Sequence, residues 1–246
     1  MSRRIYGLHA ANAALRYSPE RIRRAWVDVQ RRDRRLAQVR QQLQELGIPV
    51  EAVDRKRLDR LSGDPHHQGV VLEVILPEAR NENALAEKIG QLENPFFLVL
   101  DQVQDPHNLG ACLRTCDAVG AHGVIVPKDR SVDLTPTVCK VASGAAETVP
   151  LYRVTNLART LDFLKDAGLW RYGAAGEAQQ TAFETDLTGP LALVMGGEGG
   201  GLRRLTRERC DLLIGLPMKG RVESLNLSVA AGVLLYECLR QREFGS

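Results

Sequence analysis

At 246 residues the chain is long enough for one large domain or two smaller ones. A hydrophobic fraction of 44%, no apolar run near the ~20 residues that cross a bilayer, and a start (MSRRIYGLHA) without a signal-peptide core point to a cytoplasmic protein with no membrane partner. The net charge of +3 is unevenly spread: residues 1–60 hold 15 Lys+Arg against 7 Asp+Glu, the remainder 18 against 23, and 27 of the 33 basic residues are Arg. A basic front end on a near-neutral body suits a polyanionic partner. Five widely spaced cysteines read as reduced core thiols; Cys112 and Cys116 share a helix face, but no second Cys/His pair completes a metal site, so no metal is expected.

The first 77 residues read as a small α/β unit. After a turn over Tyr6, Gly7, Leu8 and His9, the pattern predicts a helix over 10–16, a strand over 25–29 and a helix over 34–46 with Leu36, Val39, Leu43 and Leu46 at helical spacing. A strand over 48–53, a short basic helix over 55–61 and a strand over 70–75 complete it. Residues 78–94, bounded by Pro77 and Pro95, look like a linker carrying one helix. The second domain, 95–246, opens on an all-apolar strand over 96–100, the mark of burial in a parallel sheet. Further strands are expected over 124–126, 149–152, 170–174, 191–195 and 212–216. Helices over 108–119, 135–142, 156–167, 202–207 and 225–239 separate them, which is the pattern of an α/β fold with helices on both faces of a parallel sheet.

Three loops carry polar groups at strand ends. The strand over 96–100 runs into DPHNLGACLRT, with Asn108 near the helix N-cap and Arg114 six residues on. The strand over 191–195 stops at Gly196, Gly197, Glu198, Gly199, Gly200 and Gly201, and the strand over 212–216 stops at Pro217, Met218, Lys219 and Gly220 before Ser224, Leu225 and Asn226 open the last helix. The Gly-rich loop fits neither G-x-G-x-x-G nor a Walker loop, since Leu202 stands where each would need its next residue, and a carboxylate there would repel nucleotide phosphates. Taken singly, each loop is also consistent with a capped helix or a tight turn. Their convergence on one sheet edge is what favours a site. A non-catalytic RNA-binding protein, with the basic N-terminal unit as its working part, remains the alternative at this point.

DPHNLGACLRT, LALVMGGEGGGL and LPMKGRVESLNLSVAAG, in that order, resemble the three signature motifs of the SpoU (TrmH-type) family of RNA ribose 2′-O-methyltransferases, within the SPOUT superfamily. YGLHAANAAL, HHQGVVLEV and VPKDRSVDL are similar to its bacterial subgroup that methylates a guanosine of 23S ribosomal RNA in the peptidyl-transferase region. The resemblance implies a C-terminal trefoil knot that binds S-adenosylmethionine, preceded by a ribosomal-protein-like RNA-binding domain. It implies backbone groups around Gly196, Leu216, Met218 and Leu225 lining the cofactor pocket, and Asn108, Arg114, Glu198, Ser224 and Asn226 as the catalytic or substrate-orienting positions. It further implies 23S rRNA or a ribosome assembly intermediate as partner, and a homodimer paired through the last helix. That helix is apolar on more than one face, more than a single buried stripe requires.

Overall fold

The computed structural model describes residues 2–75, 77–197 and 199–245. The chain begins with β1 (Ser2–Tyr6), α1 (Leu8–Tyr17), β2 (Ile22–Asp28), α2 (Arg34–Glu45), β3 (Val50–Val53), α3 (Arg55–Ser62), β4 (Val70–Ile75) and α4 (Glu82–Gly90). It continues with β5 (Phe96–Asp101), α5 (Pro106–Ala118), β6 (Val124–Pro127), α6 (Pro136–Ala142), α7 (Ala145–Thr148), β7 (Leu151–Val154), α8 (Leu157–Asp166) and β8 (Trp170–Ala174). It ends with β9 (Gln180–Thr181), β10 (Leu191–Gly196), α9 (Arg204–Arg207), β11 (Leu212–Gly215) and α10 (Leu227–Phe244). These form two compact units, one of Met1–Glu78 with Leu134–Thr148, the other of Ala79–Asp133 with Val149–Ser246.

The first unit is built on a four-stranded sheet in the order β1-β4-β2-β3, in which β4 runs antiparallel to both neighbours and β3 parallel to β2. Asp33 and Asp54 accept hydrogen bonds from Leu36 N (3.2 Å) and Arg57 N (2.8 Å), capping α2 and α3 for about 1 kcal/mol each. Leu36, Val39 and Leu43 then bury one stripe of α2 against the sheet, and Ala11, Ala14 and Leu15 do the same for α1. The strand Ser2–Tyr6 was not legible in the polar opening SRR, because three of its five residues are exposed. The helices α6 and α7 belong to this unit, although their residues lie within the stretch 95–246 expected to form the second domain.

The second unit is a seven-stranded sheet in the order β7-β6-β5-β10-β8-β11-β9, with every neighbouring pair parallel. All residues of β5 and β6, and all of β10 but Gly196, are buried, which explains their unbroken apolar sequences. Residues 79–94, expected as a linker, are part of this unit. Arg80 donates its N–H to Leu151 O (2.7 Å) and extends the β7 edge, while Leu85 and Ile89 of α4 sit in a core with Phe97, Tyr152 and Leu161. Alternating polar residues hid that role; two apolar anchors per helix suffice at a sheet margin. The strand expected over 149–152 lies at Leu151–Val154, where it pairs with Val124–Pro127. Among the described residues no helix is long and apolar enough to cross a membrane.

The β8–β11 side of the sheet carries a buried ion pair. Arg171 on β8 is 3% exposed; its N–H and Nε donate to Asp211 Oδ2 at 2.9 and 2.8 Å, its Nη2 pairs with Oδ1, and its Nη1 reaches Leu161 O at 3.2 Å. Burial alone would raise the Asp211 pKa, but the Arg171 side chain and backbone N–H outweigh it, and the net shift is downward. A depressed carboxyl pKa stabilises the fold above the ordinary carboxylate range and loses that contribution as the pH falls through the folded value. Asp211→Asn should therefore cost about 3 kcal/mol in urea unfolding at neutral pH, because it leaves Arg171 buried without its counter-charge. The gap to wild type should narrow below pH ~4; a pH-independent gap would contradict the ion pair as its source.

Candidate active site

The strand order sets the place. From β5 the chain moves outward one way through β6 and β7, then returns to lay β8, β10 and β11 on the other side of β5. The reversal falls between β5 and β10, and in parallel α/β sheets the carboxyl ends of the strands at such a reversal form a crevice. Asp101 at the end of β5 pairs in register with Gly196 at the end of β10. All three loops singled out in the sequence, after β5, β10 and β11, open on that edge.

The β5–β10 junction is drawn tight by backbone approach. A Cβ on Gly196 would lie 2.0 Å from the Gly201 carbonyl carbon, and one on Gly197 would lie 2.7 Å from Gln102 O. Only glycine lets the loop fold back over its own strand at these points. A bridge between Gly197 and Gly201 closes the loop. Glu198 falls inside that bracket and lies outside the described residues.

Asp101 is a functional neighbour the sequence reading missed. Its side chain is fully buried and accepts from Arg203 N (3.2 Å) and Nε (2.7 Å), with Nη2 at 2.6 Å, so the exit of the Gly-rich loop is tied to the end of β5. The available signal was a carboxylate closing an otherwise all-apolar strand. Next to it Gln102 adopts φ +70, uncommon for a side-chain-bearing residue, and its Nε2 is buried without an acceptor among the described residues. A strained residue and an unanswered buried donor beside a glycine cradle suit a polar ligand at this edge.

The remaining expected residues lie on α5, in the segment after β11 and at the start of α10. The N-cap of α5 is Asp105, accepting from His107 N at 2.8 Å, and not Asn108 as the sequence suggested. The reason is Pro106: its fixed φ and missing N–H place it at the first helical position, one residue after Asp105. Asn108 lies inside the first turn and is 5% exposed; Arg114 lies two turns on and is exposed. Asn226 is the N-cap of α10: its Oδ1 accepts from Ser228 N (2.9 Å), Ser228 Oγ (2.7 Å) and Val229 N (3.4 Å), so the helix begins at Leu227, later than expected. With Oδ1 committed to the cap, what Asn226 can offer a ligand is its NH2 group. Ser224 and Leu225 are exposed in the irregular segment before it, and Leu216 and Met218 are half-buried after β11. Both α5 and α10 start at this edge and pack on one another. The strands β10 and β11 flank β8, so the Gly196 and Leu216 loops stand two strand spacings apart, roughly 10 Å.

Cys116, Cys210 and Cys238 are not nucleophiles here. Burial pushes the thiols of Cys210 and Cys238 up to about 12 and that of Cys116 well above its usual value, which leaves no thiolate at neutral pH.

A parallel sheet with a glycine cradle at its strand-order reversal and an asparagine-capped helix starting at the same edge, in a chain that also holds a basic α/β unit, is the frame in which the comparisons fall. Residues 95–236 match the SpoU rRNA Methylase family, and residues 4–79 match the RNA 2′-O ribose methyltransferase substrate binding domain. The chain belongs to the SpoU methylase family. It is 56% identical over 243 residues to the 23S rRNA (guanosine-2′-O-)-methyltransferase RlmB of Haemophilus influenzae, covering 98% of this chain and 99% of that protein. To the protein of the same name from Escherichia coli K12 it is 51% identical, covering 98% and 100%. Among solved structures, the SpoU methyltransferase AviRb of Streptomyces viridochromogenes in complex with AdoMet superposes with a TM-score of 0.83 at 26% identity, covering 100% of this chain and 92% of that one.

The glycine cradle is directly testable. Gly196→Ala should weaken cofactor affinity about 10- to 100-fold by forcing the Gly201 backbone away. Gly200→Ala, where nothing lies within 4 Å of the added methyl, should stay close to wild type by calorimetry. Equal effects at both positions would mean that the close approach is not what shapes the pocket.

Proposed function

We propose that the protein transfers a methyl group from S-adenosylmethionine to the ribose 2′-hydroxyl of a guanosine in 23S rRNA, in the peptidyl-transferase region. Support for the substrate comes from the near-full-length identity to rRNA guanosine methyltransferases and from the basic first unit. A cytoplasmic location and a ribosome assembly intermediate as substrate go with that reading. What supports the chemistry is that β5, β10 and β11 end at one sheet edge and that α5 and α10, which carry Arg114 and Asn226, start there; on this reading Gly196, Leu216, Met218 and Leu225 line the cofactor pocket.

The residues fit S-adenosylmethionine, since a bare glycine backbone and the irregular 216–218 segment offer main-chain donors and acceptors to an adenosine. When bound, it supplies a sulfonium methyl whose C–S bond breaks as the ribose oxygen takes the carbon. The protein's task is then alignment and charge. Holding the hydroxyl in line contributes several of the roughly 7–11 kcal/mol available from proximity. The Arg114 guanidinium stays protonated in proteins, so it holds the flanking phosphate or the developing alkoxide and does not accept the proton. That proton leaves to solvent while the positive charge stabilises the oxygen. Ser224 and the Asn226 NH2 orient the ribose, and Asn108 and Glu198 complete the polar set that the family's motifs supply.

The knot implied by the resemblance belongs to this proposal. The crossing from β10 over β8 to β11, followed by the packing of α10 on α5 and β10, is compatible with it. Pulling an experimental chain trace from both ends tests it, since an unknotted chain straightens. A homodimer belongs here too. While Leu227, Ala231, Leu234, Leu235 and Cys238 are buried, α10 leaves Val229, Val233 and Tyr236 exposed at 52%, 38% and 53% on its other side. Sedimentation at micromolar concentration should give about twice the 27.2 kDa chain mass, and a fully active monomer would contradict it.

Arg114→Ala should lower methyl transfer by at least ~100-fold while cofactor affinity stays within a few-fold, the size expected for one lost charge-stabilising group. Parallel losses in binding and rate would reassign Arg114 to the cofactor pocket.

A further inference from the structure

The HHQG loop that the sequence singled out is not used by the methyl-transfer site. In the first unit it walls an open cavity of ≈ 220 Å³ together with Asp28, Arg31 and Arg55. Three of its four residues are consumed in building it. His67, 2% exposed, accepts from Gly69 N through Nδ1 (3.0 Å), which fixes its proton on Nε2 facing Asp59 Oδ1 (3.1 Å). Gln68, held at φ +54, accepts from Leu8 N through Oε1 (2.9 Å) and so serves the start of α1. Gly69 has φ +83, and a Cβ there would meet Arg31 Cδ and Leu36 Cδ2 at 3.0 Å and Asp28 Cβ at 3.4 Å, so only glycine keeps the floor clear.

His66 remains. It is exposed, and its N–H (2.8 Å) and Nδ1 (2.9 Å) both engage Asp64 Oδ1, which leaves Nε2 for a ligand. Asp64 is itself fixed: the His66 N–H and then the Tyr6 hydroxyl hold its carboxyl far below the usual range, and Lys140 Nζ lies 3.4 Å from Oδ2. On the opposite wall Arg31 is held by Asp33, and Arg55 is exposed at the start of α3. Two guanidinium groups and an imidazole thus face one cavity. A site for phosphate alone would not carry a carboxylate, yet Asp28, 9% exposed, lies among them, with Oδ1 accepting only Gln30 N (2.9 Å) among the described hydrogen bonds. A carboxylate accepts from base N–H groups, and guanine alone presents two adjacent donors, N1–H and the 2-amino group.

We infer that this cavity binds one unpaired nucleotide of the RNA substrate, its phosphate held by Arg31 and Arg55, with a contact from His66 Nε2 only when the ring is doubly protonated, and its base read by Asp28, with guanine preferred. The inference rests on rRNA being the substrate and adds a second recognition point, in the first unit, separate from the methylated ribose. Single-stranded bases are the usual objects of sequence-specific RNA reading.

The test uses the full chain. Arg31→Ala combined with Arg55→Ala should weaken 23S rRNA binding at least ~10-fold and flatten its log–log salt dependence by about 2, since each lost phosphate contact removes about one unit. In turnover the loss should fall on the KM for RNA, not on kcat, with S-adenosylmethionine affinity unchanged by calorimetry. Amide shifts at Gly69 should respond to GMP more strongly than to UMP, and Asp28→Asn, which keeps the shape, should erase that preference. RNA affinity and KM within two-fold of wild type would overturn the site. A response to inorganic phosphate equal to that to GMP would reduce it to a bare anion site and also overturn the nucleotide assignment. Binding of RNA is read without turnover, so a wild-type protein that bound rRNA through this loop but failed to methylate it would count against the activity and not against the cavity.

Discussion

A fully buried carboxylate at the end of a strand is costly to the fold unless it is answered, and Asp101 is answered by three donors from Arg203. That pair does more than neutralise a charge. It fastens the exit of the Gly-rich loop to the end of β5, while Gly196 and Gly197 let the same loop press against its own return and against Gln102. The two central strands and the loop between β10 and α9 are therefore tied together. Everything assigned to the crevice, from the half-buried Leu216 and Met218 to the first turns of α5 and α10, is positioned relative to them.

The parallel sheet was legible because burial on both faces forces unbroken apolar runs, and FFLVL and LALVM stand out against their polar surroundings. The motif residues were legible as types at strand ends. What was not legible were the consequences of capping. Asp105 and Pro106 outcompete Asn108 for the start of α5, and Asn226 turns out to be spent on α10, because cap identity depends on backbone angles that side-chain pattern does not encode. Long-range pairs were equally silent. Nothing in the spacing links Asp101 to Arg203, 102 residues on, or Arg171 to Asp211. The role of residues 79–94 was misread because Leu85 and Ile89 are few, although both are nearly fully buried.

The two units divide the work along lines their charges suggest. The first unit carries most of the chain's excess positive charge and a cavity that mixes cations with one carboxylate. The second carries the crevice, where glycine backbone and few charged groups suit a cofactor that is itself cationic at sulfur. Phosphate contacts position a nucleic acid and base contacts specify it. A ribose looks the same in every nucleotide, so on the proposed reading it is base contacts from the first unit that would select it.

The central claim is that this crevice methylates a ribose hydroxyl of 23S rRNA. Incubating the protein with labelled S-adenosylmethionine and 23S rRNA from cells lacking the enzyme, then mapping the product by nuclease digestion and mass spectrometry, tests it most directly. The account predicts label in a single 2′-O-methylguanosine, within the peptidyl-transferase region. Label on a base, or no incorporation by a protein that still binds the cofactor, would contradict it.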